Sequence, residues 1–184
     1  MKHLITRELL AEAETEFIKK SSYAAVNEAY EAREKRASRQ GEVTVFLSHK
    51  HTDKDLVRSA ITLLSSLGVS VYVDWMDSSM PPATNPTTAN NLKAKIRSSR
   101  KFILLASDDA IESKWCNWEL GLGDAAKYIE HIAILPAGTR GKNWKGNEYL
   151  GIYPVITSQY EYLSGTYYVE FGSNQVPLDQ WLRN

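Results

Sequence analysis

The segment Ser113-Lys114-Trp115-Cys116-Asn117-Trp118-Glu119-Leu120 sets one carboxylate, Glu119, four residues after an indole and three after the only thiol in the chain. A single carboxylate suits a reaction in which positive charge develops on the substrate, because a fixed anion facing that charge stabilises the transition state. The plain alternative is a helix-surface carboxylate, favoured near an N-terminus by the helix dipole. Cys116 reads as a small packing residue, the usual use of a buried thiol. A second polar cluster, Ser48-His49-Lys50, closes the run Val43-Thr44-Val45-Phe46-Leu47. His49 and His51 are two imidazoles on one loop without a third ligand in view, which argues against a metal centre. Gly121-Leu122-Gly123 lacks the third glycine of a dinucleotide-binding turn and falls inside a helical stretch. No Ser/His/Asp triad is legible.

These residues need elements to carry them, and from Gly41 onward strands alternate with helices. Residues 43–47 form a first strand. Asp53 can cap the next helix, whose apolar face (Leu56, Val57, Ala60, Ile61, Leu63, Leu64) ends at Gly68. Residues 69–73 make a second strand. The stretch 74–88, with Pro81, Pro82 and Pro86, reads as an irregular loop. A helix over about 89–99 leads into a third strand, 101–106, apolar enough to be buried on both faces of a parallel sheet. A helix over about 116–128, a fourth strand at 131–135 and a fifth, edge strand at 153–156 complete the series. The expected fold is therefore α/β, flavodoxin-like and doubly wound, with a mainly five-stranded parallel sheet. Ligands of such sheets bind beyond the carboxyl ends of the strands. That rule points to 48–52, 74–88 and 107–118.

The flanks differ from this core. Apolar positions Leu9, Leu10, Ala13, Phe17 and Ile18 predict a helix over 7–20, and a second helix is expected over 23–36 before Gly41 stops it. The organisation expected is an N-terminal helical extension (1–41), a central α/β domain (42–158) and a C-terminal extension (159–184), β-rich with a last helical turn over Pro177 to Leu182, docking on it. The stripe Leu9, Ala13, Phe17 can cover the core or serve as a self-association arm.

Of the 184 residues, 22 are acidic and 22 basic, so nothing in the charge suggests nucleic acid or a membrane surface as a partner. A lone cysteine allows no intrachain disulfide. With no apolar window of membrane-spanning length and no apolar leader, a soluble, cytoplasmic protein is the expectation.

Three segments carry a resemblance to the Toll/interleukin-1 receptor (TIR) family. Val45-Phe46-Leu47-Ser48-His49 resembles that family's opening strand, which ends in Ser followed by an aromatic or polar residue. Val71-Tyr72-Val73-Asp74 and the long loop after it resemble its second strand and BB loop. Most specific is the segment from Ser113 to Leu120, similar to the Ser-x-Trp-Cys-x-x-Glu-Leu of catalytic members. The resemblance covers about 42–156. Met80-Pro81-Pro82 stands where many members have Gly-rich turns, and the extensions lie outside the shared domain. The layout is similar to stand-alone prokaryotic members of Thoeris-type anti-phage systems.

The resemblance implies cleavage of NAD⁺ at the nicotinamide–ribose bond, with Glu119 as the catalytic carboxylate and NAD⁺ as substrate; no cofactor or metal is expected. The nicotinamide is already a cationic leaving group, so no general acid is required, unlike ordinary glycosides with their paired carboxylates. Substrate contacts are implied at Phe46, Ser48, His49, Lys50, Asp77, Ser79 and Trp115. Trp115 can wall the nicotinamide subsite or simply hold the loop, and Lys50 can neutralise the diphosphate or lie in a solvated turn. The product would be ADP-ribose, a cyclic isomer or a conjugate, reaching a downstream effector as a signal in anti-phage defence, and activity would depend on self-association of the TIR domain. A non-catalytic TIR interaction module and a nucleoside deoxyribosyltransferase-like enzyme are the competing readings, which fold similarity alone does not separate.

Overall fold

The computed structural model describes residues 3–20, 44–77, 85–142, 144, 146, 148–161 and 165–184. The helix expected at 23–36, its serine cap, Ser79 and the Met80-Pro81-Pro82 turn lie outside the described residues. Strand β1 (His3–Leu4) precedes helix α1 (Arg7–Lys20). β2 (Thr44–Ser48), α2 (Lys54–Ser66) and β3 (Ser70–Tyr72) follow. Next come α3 (Pro86–Ser98), β4 (Lys101–Ala106), the short α4 (Asp108–Ile111) and α5 (Lys114–Ala126). β5 (Ile132–Pro136), β6 (Val155–Ser158), β7 (Tyr167–Phe171), β8 (Asn174–Pro177) and α6 (Leu178–Arg183) complete the chain. Among the described residues no helix is long and apolar enough to cross a membrane.

The strands form one sheet in the order β3-β2-β4-β5-β6-β7-β8. It is parallel from β3 to β6, the five-stranded doubly wound core expected, and antiparallel beyond. The fifth strand corrects the sequence reading, because it is not an edge. β7 pairs along its whole length on one side, while β5 at Val155 and β1 at Thr157 and Ser158 share the other. The signal was misleading because Tyr153-Pro154 looks like an edge device, whereas both residues lie before the strand begins.

Two apolar layers sandwich the sheet, as the alternation of side chains across a strand requires. On one face α1, α2 and α6 pack over Val45, Leu47, Ile103, Leu105, Ala133 and Leu135. On the other, Leu92 and Ile96 of α3 and Cys116 and Leu120 of α5 pack over Phe46, Phe102, Leu104 and Ile134. β4 is buried at all six positions. The stripe of α1 is spent inside the molecule: Leu9 and Leu10 are fully buried and Ala13 nearly so, leaving Phe17 half-buried. A 2.6 Å hydrogen bond from Ser59 to the Glu14 carboxylate and the 2.8 Å ion pair of Arg140 with Glu12 fasten the same helix.

Two local expectations change. The loop after β3 is not irregular throughout: Asp74–Met76 is a 3-10 turn, and α3 begins at Pro86, three residues earlier than its apolar pattern suggested. Proline is favoured in the first helical turn because its missing N–H would have no partner there. Asn85 caps that turn reciprocally with Thr88. Asp53 occupies the cap position of α2, but its side chain makes no cap bond. Its carboxylate instead accepts a 2.5 Å hydrogen bond from the Ser107 hydroxyl, which ties the exit of β2 to the exit of β4.

Candidate active site

Helix α5 brings Glu119 to the carboxyl end of β2. Ser113 starts it as N-cap, its side chain accepting from the Cys116 N–H. The helix runs from Lys114 to Ala126, so Glu119 sits in the second turn and not at the helix start. One turn later Gly123 lies against the Phe102 ring, where a Cβ would approach to 3.0 Å. Glycine there lets the helix lie close on β4, and Glu119, four residues earlier on the same face, is pressed toward the strand ends. The Gly-x-Gly pair is thus partly a packing feature.

Glu119 is 3% exposed, far from the surface carboxylate that helix position alone would suggest. The Ser48 hydroxyl, itself buried, donates to Glu119 Oε2 at 2.5 Å. Burial pushes the Glu119 carboxyl from 4.5 up to about 8, and the negative charge of Asp74 adds to the rise. The Ser48 hydroxyl and the Trp115 side chain, both donating toward the carboxylate, pull it down. At neutral pH Glu119 is therefore mostly protonated, and a cation beside it favours its ionised form.

The neighbours of Glu119 come from three elements. His49, 8% exposed, faces Leu47 O with Nδ1 at 2.9 Å and Asp74 Oδ1 with Nε2 at 3.6 Å. Its backbone carbonyl accepts from Cys116 Sγ at 3.2 Å, and Cys116 is buried, a packing thiol. Trp115 is half-buried on the first turn of α5, its ring 4.8 Å from that of Trp118. Phe46 is buried in an aromatic ladder across three strands, 5.5 Å from both Tyr72 and Phe102. Lys50 is half-buried in the loop after β2.

Asp77 accepts from the Tyr72 hydroxyl at 2.9 Å and lies 3.5 Å from Lys95 Nζ, which also sits 4.8 Å above the Tyr72 ring. Burial and this bond raise the Tyr72 hydroxyl well above its ordinary range, so it stays a donor. Six of the seven residues named as substrate contacts, with Glu119, thus lie on or beside the exits of β2 and β3 and the start of α5. Ser79 lies outside the described residues.

Sequence reasoning missed Asp74, Tyr72 and Lys95 as members of this cluster. Asp74 and Tyr72 had a signal, since they close a strand on the side where ligands bind. Lys95 had none, because a lysine on an amphipathic helix carries no mark of what it reaches.

The TIR-domain family profile matches residues 45–174. A protein of Bacillus cereus (strain MSX-D12) named "Probable 3' cyclic ADP-D-ribose synthase ThsB'" is 32% identical over 116 residues, covering 61% of this chain and 59% of that protein. The aligned region thus spans under two thirds of the relative. A protein of Cytobacillus dafuensis, provisionally named cyclic ADP-D-ribose synthase TIR2, is 29% identical over 79 residues, which is 41% of this chain and 21% of that one. Among solved structures, the TIR domain of the Toll-related receptor TRR-2 from Hydra magnipapillata is 18% identical with a TM-score of 0.43, over 58% of this chain and 76% of that one. With a matched profile spanning more than half its length and the parallel core that carries Glu119, this chain belongs to the TIR-domain family.

Proposed function

We propose that the chain cleaves NAD⁺ at the nicotinamide–ribose bond, so that neutral nicotinamide leaves with the bonding pair, and joins the ribose C1 to a hydroxyl of the same molecule, whose proton passes to water, releasing a cyclic ADP-ribose. One observation carries the reading: Glu119 is a nearly fully buried carboxyl at the strand ends, held by the Ser48 hydroxyl and the Trp115 side chain. Such a group is costly unless it meets a cation. The nicotinamide–ribose unit supplies that cation, and the charge passes to the ribose as the bond breaks. Ionised Glu119 faces it throughout. Lys50 and Lys95 supply positive charge at the rim for the diphosphate. The printed name of the Bacillus cereus relative, a 3′ cyclic ADP-D-ribose synthase, supports the cyclic product.

In this reading the nucleotide product is a signal that reaches a separate effector in anti-phage defence, and the enzyme works in the cytoplasm. Activity depends on assembly of TIR domains with one another, so specific activity rises with protein concentration. Purified protein is incubated with NAD⁺ at several concentrations and the products are identified by mass spectrometry. Nicotinamide together with a product of cyclic ADP-ribose mass supports the proposal. Nicotinamide with linear ADP-ribose alone removes the cyclase step, and no nicotinamide under any assembly condition removes the enzyme.

A further inference from the structure

Lys101 opens β4 and is only 1% exposed, although its side chain carries a charge. It stands at the amino ends of the parallel strands, at the other end of the sheet from Glu119. A buried ammonium is costly unless its hydrogens are received. Among the described residues two groups receive them. Nζ lies 2.8 Å from His131 Nδ1, at the end of the 3-10 turn Ile129–His131 that leads into β5. It also lies 4.5 Å from the centre of the Trp181 ring on α6. The indole is fixed in turn, its Nε1–H donating to the Glu130 carbonyl oxygen at 2.7 Å. Arg100 donates to the Asn184 backbone oxygen, also at 2.7 Å. A helix of six residues has no stability of its own. These contacts and the buried Leu178, Trp181 and Leu182 are what seat it.

An ammonium has no lone pair, so His131 Nδ1 must accept from Lys101 and carry no hydrogen itself. Burial lowers Lys101 to about 8, and it is still mostly charged at neutral pH. His131 is half-buried, open enough for a proton from water to reach the ring. A proton at Nδ1 sets an imidazolium against an ammonium at hydrogen-bond distance. The surrounding charges mostly add to that conflict. Lys127 after α5 and Arg100 before β4 oppose a charge on His131, and Glu130 on its own turn favours it. From α6 come Asp179 and Arg183, which pair with each other at 3.6 Å. Burial and the Lys101 charge hold His131 below its ordinary 6.5.

We infer that His131 is an acid-sensitive latch for α6: a proton gained at Nδ1 removes the acceptor that seats Lys101 against Trp181 and loosens the helix from the amino end of the sheet. The proton comes from water, and an N–H bond forms at Nδ1. His131 goes from neutral to +1 while Lys101 stays at +1, so the ammonium must leave its seat. Because docking lowers His131, the contribution of the latch is complete above 6.5 and is lost as pH falls through the lowered value. The latch requires no particular reaction at Glu119.

The test uses the full chain labelled with ¹⁵N in histidine and tryptophan, with the Trp181 indole assigned from Trp181→Phe and the His131 ring from His131→Gln. Exchange of the Trp181 indole hydrogen with solvent, corrected for the pH dependence of exchange in indole itself, reports undocking of α6. In the wild type undocking should rise on acidification as His131 titrates, tenfold for each pKa unit by which docking lowers the ring. His131→Gln keeps an acceptor for Lys101 and never gains a charge, so its undocking should stay flat over the same range. Lys101→Met keeps the apolar stem and removes the opposing charge, so the His131 midpoint should move up toward 6.5. Undocking that rises equally in wild type and His131→Gln overturns the inference, as does a His131 midpoint unchanged by Lys101→Met. If a variant does not fold, the wild type decides alone: indole exchange that fails to follow the His131 titration overturns it.

Discussion

Ser48 on β2 and Glu119 on α5 are 71 residues apart in sequence and meet through a buried 2.5 Å hydrogen bond. The hydroxyl donates, so it stabilises the ionised carboxylate more than the neutral acid, against the burial that raises the group to about 8. The bond fixes both where Glu119 points and how readily it ionises.

Ser48→Ala should therefore push the Glu119 carboxyl higher still. A hydrogen bond to a charged group is worth about 1.5–3 kcal/mol. The expected result is a loss of roughly tenfold to a hundredfold in kcat/KM for NAD⁺ near neutral pH, with the gap narrowing as pH rises. A pH–rate profile checks it. An equal loss at every pH would mean that Ser48 only positions the carboxylate.

Glu119 also sets a pH dependence of stability whose sign is fixed. Its carboxyl lies near 4.5 when free and about 8 in the fold, so between those values the native state keeps a proton that the unfolded chain has lost. The associated stability is complete below the lower value and is lost as pH rises through the upper one. Glu119→Gln, neutral at every pH, should match the wild type near pH 4 and exceed it near pH 9, by on the order of 1–3 kcal/mol. Thermal melts at both pH values measure the difference. A Gln variant less stable than wild type at pH 9 would contradict the burial cost.

Gly123→Ala tests how the helix is placed. The added Cβ would meet the Phe102 ring at 3.0 Å, and that ring is stacked on Phe46 with little room to yield. Overpacking of this sort costs roughly 1–3 kcal/mol. The helix must also lift from β4 at the turn after Glu119, so NAD⁺ cleavage should fall further than stability alone explains. The same change at Gly121, where nothing lies within 4 Å, should be harmless or slightly stabilising and serves as the control. Equal behaviour of the two variants would dismiss the packing role.

Much of this arrangement was legible in the chain. β4 was readable to the residue because a continuous apolar run has one stable place, the middle of a parallel sheet. Glu119, Trp115 and Ser48 were singled out by the resemblance of their motifs at strand ends, and the fold brings the Ser48 hydroxyl to the Glu119 carboxyl. The antiparallel additions were legible only in part: the β-rich tail and its last helical turn are there as β7, β8 and α6, but their place in the sheet was not readable. β1 is two residues long, too short for any periodicity, and nothing in the sequence of β6 marks β7 as its partner. Asp53 misled because an aspartate before a helix is a cap by habit, and only the fold brings Ser107 to it. The orientation of the His49 ring had no sequence signal, since it is set by a backbone carbonyl two residues earlier.

Helix α1 offers a test of what covers the core. Its apolar stripe was open to two uses, and Leu9, Leu10 and Ala13 are buried against α2 and the sheet. Deleting residues 1–20 uncovers the face of α2 packed against this helix and removes the buried Ile5, Leu9 and Leu10, each worth about 1.5–3 kcal/mol when buried. The truncated protein should be insoluble or unfolded by circular dichroism, not a folded form that has merely lost the ability to associate. A folded, soluble truncation would return α1 to the role of an association arm.

The central claim is that Glu119 carries NAD⁺ cleavage, and the most direct measurement is nicotinamide release from NAD⁺ by wild type and by Glu119→Gln, at matched protein concentration and with folding confirmed by circular dichroism. Removing one preorganised electrostatic group typically costs about a hundredfold to a thousandfold, and a buried carboxylate facing a cation should cost at least that. The account predicts steady release by the wild type and a loss of that size or greater in the Gln variant, which remains folded. Release by Glu119→Gln at the wild-type rate would contradict it.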